Sequence, residues 1–219
     1  MGEVEIDHIQ KTIAIRSHIV TYGNHASDEV TERIRKEIEM MWNEPAAMIY
    51  LNNEHYRLNF QISSRCNPVI SELEVLQNTD PRNNYFRIED FVHGNISFVD
   101  GVPSNTGYFL LENLYDGSTT AAHEYGHTIG LQHPRDMDIR GHGIPGIMYP
   151  RGTLVDPQFQ YDPTRPAGVK GGTMHPMYRR VSPDDIELLK LHKLVFRNNK
   201  AILGEFTNIY HFPHLPGGR

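Results

Sequence analysis

The chain has 219 residues, of which 38% are hydrophobic and 22% are charged, and its formal net charge is -6. These values describe a water-soluble globular protein and exclude a disordered tail or a disulfide scaffold. The length favours one domain with a hydrophobic core. No run of lysines and arginines is present, so we expect neither a nucleic-acid nor a membrane partner.

Two features bear on the compartment of the protein. No apolar stretch approaches the roughly 20 residues that span a bilayer, and residues 1–10 are too acidic and polar for a signal peptide. The single cysteine, Cys66, excludes an intrachain disulfide. The compartment therefore stays open at this point.

The first half of the chain shows strand and helix periodicity. Residues 12–20 alternate between apolar and polar, which predicts a first strand. Residues 28–43 repeat apolar side chains every three or four positions, between Ser27 or Asp28 as N-cap and Pro45 as stop. This pattern predicts an amphipathic helix that packs on a sheet.

Shorter periodic segments follow. Five further strands are predicted, at residues 47–51, 56–63, 85–91, 95–99 and 107–111. A helix is predicted from about residue 118 to 131, then a long irregular stretch rich in Gly and Pro to residue 180. The last helix begins with Ser182 as N-cap and Pro183 at its first position. The sequence thus predicts an α/β (α+β) fold with a twisted mixed sheet.

The segment from His123 to His133 carries the chemistry. His123 and His127 are four residues apart, so on a helix both imidazoles lie on one face and reach a common tetrahedral zinc at about 2.0 to 2.1 Å. Glu124 is rotated by about 100° from His123, which places it beside the metal as a general base that holds water. We expect one catalytic Zn²⁺ here.

A third histidine completes the predicted ligand set. His133 would point away from the metal if the helix continued, and Gly130 supplies the turn that brings it back. Three protein ligands leave the fourth position open, which distinguishes catalytic from structural zinc. The alternative is a buried helix with hydrogen-bonded histidines, but five specified positions in H-E-x-x-H-x-x-G-x-x-H make a chance match improbable.

This string resembles the signature of the metzincin zinc peptidases, which continues into a downstream methionine turn. Ile147-Met148-Tyr149-Pro150 resembles that turn. The resemblance implies that Met148 forms a hydrophobic floor beneath the metal and is not a ligand. Among metzincins the chain is most similar to the matrixins, because Val181-Ser182-Pro183-Asp184-Asp185-Ile186 resembles the start of their C-terminal helix.

The resemblance implies a zincin-like catalytic domain over residues 1–219, with an N-terminal subdomain of about 1–133 and a C-terminal one of about 134–219. A backing helix, an active-site helix below a horizontal cleft and a C-terminal helix are expected. The implied activity is a zinc metalloendopeptidase whose protein or peptide substrate binds extended along a strand edge. We also expect a monomer that is secreted or delivered outside the cell.

Parts of the chain depart from the matrixin pattern. Residues 151–180 are longer than the family's specificity loop, so its specificity pocket is not carried over. Calcium ligands could come from four loop aspartates, but a solvated role is the simpler interpretation. These are Asp136, Asp138, Asp156 and Asp162. Cys66 faintly resembles a propeptide cysteine that caps zinc, but it lies within the catalytic domain.

The sequence leaves two alternatives to a free-standing endopeptidase open. One is a catalytically silent module that binds zinc or peptide, which would most simply have lost Glu124. The other is a peptidase effector or toxin domain released from a larger exported protein.

Overall fold

A curled, mixed eight-stranded sheet forms the framework of the protein. The computed structural model describes residues 1–216. The strands are β1 (Gly2–Asp7), β2 (Thr12–Tyr22), β3 (Met48–Leu51), β4 (Glu54–Cys66), β5 (Asn83–Glu89), β6 (Phe98–Val99), β7 (Thr106–Leu110) and β8 (Lys200–Leu203). The helices are α1 (Asp28–Asn43), α2 (Glu72–Leu76), α3 (Thr120–Thr128) and α4 (Pro183–Leu188).

The sheet order is β3-β4-β2-β5-β7-β6. β4, β2, β5 and β7 run parallel, and the outer strands β3 and β6 are antiparallel to their neighbours. β1 pairs with the first half of β2 and β5 with its second half, so both lie on the same side of it. The predicted α/β fold with a mixed sheet is confirmed at this level.

Helix α1 backs the sheet as its periodicity predicts. Ser27 is the N-cap, and its side chain accepts a hydrogen bond from the Val30 N–H at 3.3 Å. The apolar stripe of α1 is buried against alternate residues of β4, among them Phe60. Trp42 lies at the end of this stripe, packs on Phe60 and Tyr125, and donates from Nε1 to the Ala122 carbonyl at 3.1 Å. Trp42 therefore connects α1 to α3.

Several boundaries differ from the sequence prediction. The first strand is Gly2–Asp7 and not the segment starting at Thr12; it pairs with β8, which the sequence prediction did not contain. Helix α2 was also not predicted. Helix α3 spans nine residues. It begins at Thr120 because Thr119 before it has a left-handed backbone, with φ of 59°. Helix α4 ends at Leu188 after six residues.

The C-terminal segment lies against the outer part of the sheet. Thr207 donates its N–H to Asn105 Oδ1 at 2.9 Å, and His211 Nε2 lies 2.8 Å from Asp100 Oδ2. The ring of His214 stacks on Tyr108 at 4.4 Å between centroids. These contacts hold the region around β6. No helix within residues 1–216 has both the length and the apolar character needed to cross a membrane.

Candidate metal centre

Helix α3 presents two histidines from one buried face. His123 and His127 are one turn apart, and they are 6% and 8% exposed. His123 Nδ1 lies 2.7 Å from the Ile147 carbonyl oxygen, and His127 Nδ1 lies 2.7 Å from the Leu131 carbonyl oxygen. A carbonyl oxygen only accepts, so both Nδ1 atoms carry the proton. Each Nε2 is thereby left with a lone pair.

The turn after α3 fixes both the second and the third histidine. Gly130 has φ of +101°, its N–H donates to the His127 carbonyl at 3.1 Å, and the Leu131 N–H donates to the Gly126 carbonyl at 3.0 Å. This pair of bonds is the Schellman pattern, which favours glycine at the left-handed position. The turn also places the Leu131 carbonyl on His127. Gly130 thus occupies the left-handed position of this turn.

The three Nε2 atoms converge on one point. His133 Nε2 lies 3.1 Å from Nε2 of His123 and 3.1 Å from Nε2 of His127. Three nitrogens bound at about 2.0 to 2.1 Å to a tetrahedral ion are about 3.3 Å apart, close to this spacing. The Nδ1 protons of His123 and His127 leave their two Nε2 lone pairs directed at His133 Nε2, and a cation between the three nitrogens would satisfy these lone pairs. The group is positioned to hold a metal ion and is compatible with zinc.

Burial keeps these imidazoles neutral. It lowers the pKa of His123 well below its usual value, and it lowers the pKa of His127 to about 4. The pKa of His133 is also lowered, by burial and by the charge of Arg179. Neutral imidazole is the form that binds metal, so the group needs no deprotonation at neutral pH.

Glu124 lies beside the histidines and points into the same cavity. It is 7% exposed and accepts no hydrogen bond within the described residues. Burial raises its pKa to about 8, and the charges of Arg179 and Arg151 oppose that rise. A cation held by the histidines would favour the ionised carboxylate further. The carboxylate is therefore free to bind a ligand in the cavity.

Met148 packs beneath α3. It is 1% exposed, and a Cβ placed on Gly126 would overlap its Sδ. Gly126 thus lets the methionine approach the helix backbone, a role that the sequence prediction missed. A glycine inside a helix costs about 1 kcal/mol relative to alanine, and that cost was the available signal.

The methionine turn is also tied to α4. Asp185 forms a capping box with Ser182, and its Oδ2 accepts a hydrogen bond from the Ile147 N–H at 3.4 Å. The Ile147 carbonyl in turn accepts from His123. The Ser182 to Asp185 segment therefore supports the first histidine through a single intervening residue.

A cavity of about 500 Å³ lies over the histidines. One wall is formed by β6 and the residues around it, from Ile96 to Val102. The opposite wall is α3, with Thr120, His123 and Glu124. Pro150, Arg151 and Arg179 also line it.

Two charged residues near the site, one buried and one half-buried, were not predicted. Arg179 is 3% exposed and lines the cavity. Glu37 of α1 accepts a hydrogen bond from the Ala122 N–H at 3.1 Å, at the positive end of α3. Burial raises the pKa of Glu37, and its hydrogen bonds from the α3 backbone oppose the rise. Neither residue belongs to a motif, so the sequence carried no signal for them.

The remaining candidates lie outside the histidine group. The four loop aspartates are not gathered into one group within residues 1–216; each holds a local contact. Asp138 pairs with Arg140, Asp162 bonds Thr164, Asp156 accepts from the Gly141 N–H, and Asp136 accepts from the Asp138 N–H. Cys66 ends β4, is half-buried and is a free thiol.

A second group of metal-ligating side chains lies at the ends of β2 and β5. It consists of His25, Glu89 and Asp90. His25 Nδ1 lies 3.5 Å from Glu89 Oε2, and His25 Nε2 lies 3.9 Å from Asp90 Oδ2. Glu89 Oε1 accepts from Arg87 at 2.5 Å and from the Asn24 N–H at 3.0 Å.

A scan against models of known protein families found no match, and a search of curated proteins found no significant match.

Proposed function

We propose that the chain is a zinc-dependent endopeptidase of the metzincin kind, most similar to the matrixin branch. The observation that carries the proposal is the convergence of three imidazole Nε2 atoms, two of them left proton-free by their Nδ1–H hydrogen bonds, beside the unpartnered carboxylate of Glu124. Three nitrogen ligands and an adjacent free base, at the base of an accessible cavity, are the arrangement of a hydrolytic metal site.

The surrounding elements support the metzincin assignment. α1 backs the sheet, α3 carries the first two histidines, and Gly130 turns the chain towards the third. Met148 lies under α3, and Ser182 and Asp185 link the methionine turn to α4. Each motif of the family string thus has a physical task in this chain.

His123, His127 and His133 would hold the zinc ion. Zinc bound there supplies a Lewis acid that polarises a scissile carbonyl and makes water more acidic. Glu124 accepts the proton of the attacking water and delivers it to the leaving amine. Its lack of a hydrogen-bond partner within the described residues leaves it available for this transfer.

Strand β6 is the proposed docking edge for substrate. It pairs only with β7 among the described strands, and residues of its segment line the cavity over the histidines. An extended peptide that lies along β6 can exchange main-chain hydrogen bonds with it. Such binding leaves both ends of the peptide outside the cleft, which favours cleavage within a chain.

Replacing Glu124 by Ala tests the proposal. We expect the variant to keep about one zinc per chain, because no ligand is removed. The cleavage rate should fall by a factor of about 10² to 10⁴, the usual contribution of a positioned proton-transfer group. Zinc is measured by elemental analysis and cleavage with a peptide library on the same sample.

Glu187→Ala is the matched control, because Glu187 is an exposed glutamate of α4 outside the cavity. It should keep both zinc and cleavage. Near-normal cleavage by zinc-loaded Glu124→Ala would refute the mechanism, whereas loss of zinc would make Glu124 a ligand. Retained peptide binding with no cleavage by the unaltered zinc-loaded protein would indicate a silent binding module.

A further inference from the structure

Arg179 is a buried arginine whose guanidinium faces the cleft. It is 3% exposed, and it lines the cavity together with Glu124. Nε donates to Thr119 Oγ1 at 2.9 Å, and Nη1 donates to the Tyr149 carbonyl at 3.2 Å. These two bonds fix the plane of the guanidinium between the start of α3 and the methionine turn.

The third nitrogen of this guanidinium has no protein partner in residues 1–216. No hydrogen bond uses Nη2, and Nη2 is not among the buried polar atoms sealed from solvent. An N–H group that lines a cavity without a protein acceptor is available to a ligand.

The charge of Arg179 is also unmatched at close range. No carboxylate of the described chain lies within 4.0 Å of its guanidinium, although Glu124 and Glu37 interact with it from further away. Burial lowers its pKa to about 10, so the side chain stays charged at neutral pH. A buried cation without a paired anion is destabilising, and a charged ligand would relieve that cost.

Arg151 adds a second positive charge to the same cavity. It is exposed, and its Nη2 donates to Asn113 Oδ1 at 2.8 Å, which holds the guanidinium near the cavity lining. The lining contains these two arginines and one glutamate, so its formal charge is positive before any metal ion is counted. The whole chain, in contrast, has a net charge of -6.

We propose that Arg179 and Arg151 form a carboxylate subsite that receives an aspartate or glutamate side chain of the substrate next to the scissile bond. The substrate class is therefore an acidic peptide. This inference rests on the proposed endopeptidase function and names its specificity. Arg179 supplies the fixed donor, because two of its nitrogens are already held by the protein, and Arg151 supplies a more mobile charge.

A purely structural role for Arg179 makes a different prediction. If the guanidinium only joins Thr119 to Tyr149, its removal weakens the site for every peptide to the same extent. A carboxylate subsite instead changes the ratio between acidic peptides and their amide counterparts. The ratio is the quantity to measure.

The experiment uses the zinc-loaded protein and matched peptides. A peptide library first locates the scissile bond. Decapeptides with Glu or Gln at each of the positions flanking that bond are then compared by kcat/KM. We expect at least about a tenfold preference for Glu at one flanking position, since a hydrogen bond to a charged group contributes that much. Equal values for Glu and Gln at every flanking position would overturn the proposal.

Three arginine variants test which side chain produces the preference for Glu over Gln. Arg179→Gln should bring the Glu to Gln ratio close to one, and Arg179→Lys should retain part of it, because lysine keeps the charge without the planar fork. Arg151→Gln should reduce the ratio a few-fold. Arg180→Gln is the matched control: its guanidinium donates to the carbonyls of Met177 and Arg179 outside the cavity, and it should leave the ratio unchanged.

If Arg179→Gln does not fold, Arg179→Lys and Arg151→Gln decide the question. Unchanged ratios in both folded variants would contradict the proposal. A peptide with a free C-terminal carboxylate and its C-terminal amide form the second arm. If the arginine-dependent preference follows the terminal carboxylate instead of the Glu side chain, the side-chain assignment is wrong.

A binding measurement separates this inference from the proposed function. Zinc-loaded Glu124→Ala is titrated with fluorescein-labelled Glu and Gln decapeptides, and anisotropy gives the two Kd values. Failure of the unaltered protein to cleave any peptide would refute the peptidase, and the Kd ratio would still report on the subsite. Tighter binding of the Glu peptide that disappears in Arg179→Lys Glu124→Ala supports the subsite, and equal Kd values contradict it.

Discussion

The histidine group around α3 and the group formed by His25, Glu89 and Asp90 both bring three metal-ligating atoms within 4.8 Å of one another. In the first group, backbone carbonyls hold the Nδ1 protons of His123 and His127, so their Nε2 lone pairs point to one centre. In the second, the two ring nitrogens of His25 face different carboxylates. One imidazole cannot direct both nitrogens at a single ion.

The partners of the ligands also differ between the groups. Glu89 already forms an ion pair with Arg87 and accepts a hydrogen bond from the Asn24 backbone, so it has partners without a metal. Around α3, Glu124 is the one carboxyl residue among the described residues that line the cavity, and it has no hydrogen-bond partner in the described chain. Proximity of ligand types is thus a weak criterion, and hydrogen bonds that fix the tautomer distinguish the site.

Removal of one histidine from each group gives the largest contrast. His133→Ala should lose most of its zinc and its cleavage activity while it keeps the fold, because His133 lies after α3 in an irregular segment. His25→Ala should keep about one zinc per chain. Elemental analysis of protein never exposed to chelator checks both. Undiminished zinc in His133→Ala, or a loss of zinc in His25→Ala, would contradict the assignment of the metal to the histidine group around α3.

Substitution of Gly126, which contacts Met148 under α3, should have an effect of intermediate size on the free energy of unfolding. In Gly126→Ala the new methyl group meets Met148 Sδ, and overpacking of this kind costs about 1 to 3 kcal/mol. Helix propensity returns about 1 kcal/mol, so we expect net destabilisation in denaturant titrations. In a Met148→Ala background the same substitution should be less destabilising, because only the 3.2 Å approach to Trp42 Cζ2 remains. Additive effects of the two substitutions would show that the contact with Met148 does not cause the destabilisation by Gly126→Ala.

The smallest expected effect is that of Met148→Leu. The exchange nearly conserves volume, and Met148 is not a ligand, so the free energy of unfolding should fall by less than about 1.5 kcal/mol. Zinc content and cleavage should stay close to normal. Abolished zinc binding in a folded Met148→Leu protein would contradict its assignment as a hydrophobic floor.

Local signals in the sequence predicted the elements that local interactions determine. The bounds of α1 agree with the structure because its apolar repeat, Ser27 cap and terminal Pro45 all act within one helix. Gly130 was predictable for the same reason, since a helix end requires a left-handed residue. The histidines follow from this local geometry, and their grouping in space agrees with the motif.

Features that depend on distant partners were not predictable. β1 is stabilised by pairing with β8, which lies about two hundred positions along the chain. Arg179 faces the cavity only because Thr119 and Tyr149, from two other segments, hold its guanidinium. No spacing rule connects such residues. The charge of the cleft, and with it the proposed specificity, therefore required the structure.

The turn at Gly130 has a consequence for how metal and folding are coupled. All three ligands lie within the eleven residues from His123 to His133, so little chain entropy is lost when the turn brings them together. An unfolded chain can therefore also bind zinc through this short segment, though more weakly. Zinc that binds the unfolded chain offsets part of the stabilisation. Zinc should therefore raise the free energy of unfolding by less than its affinity for the folded site implies.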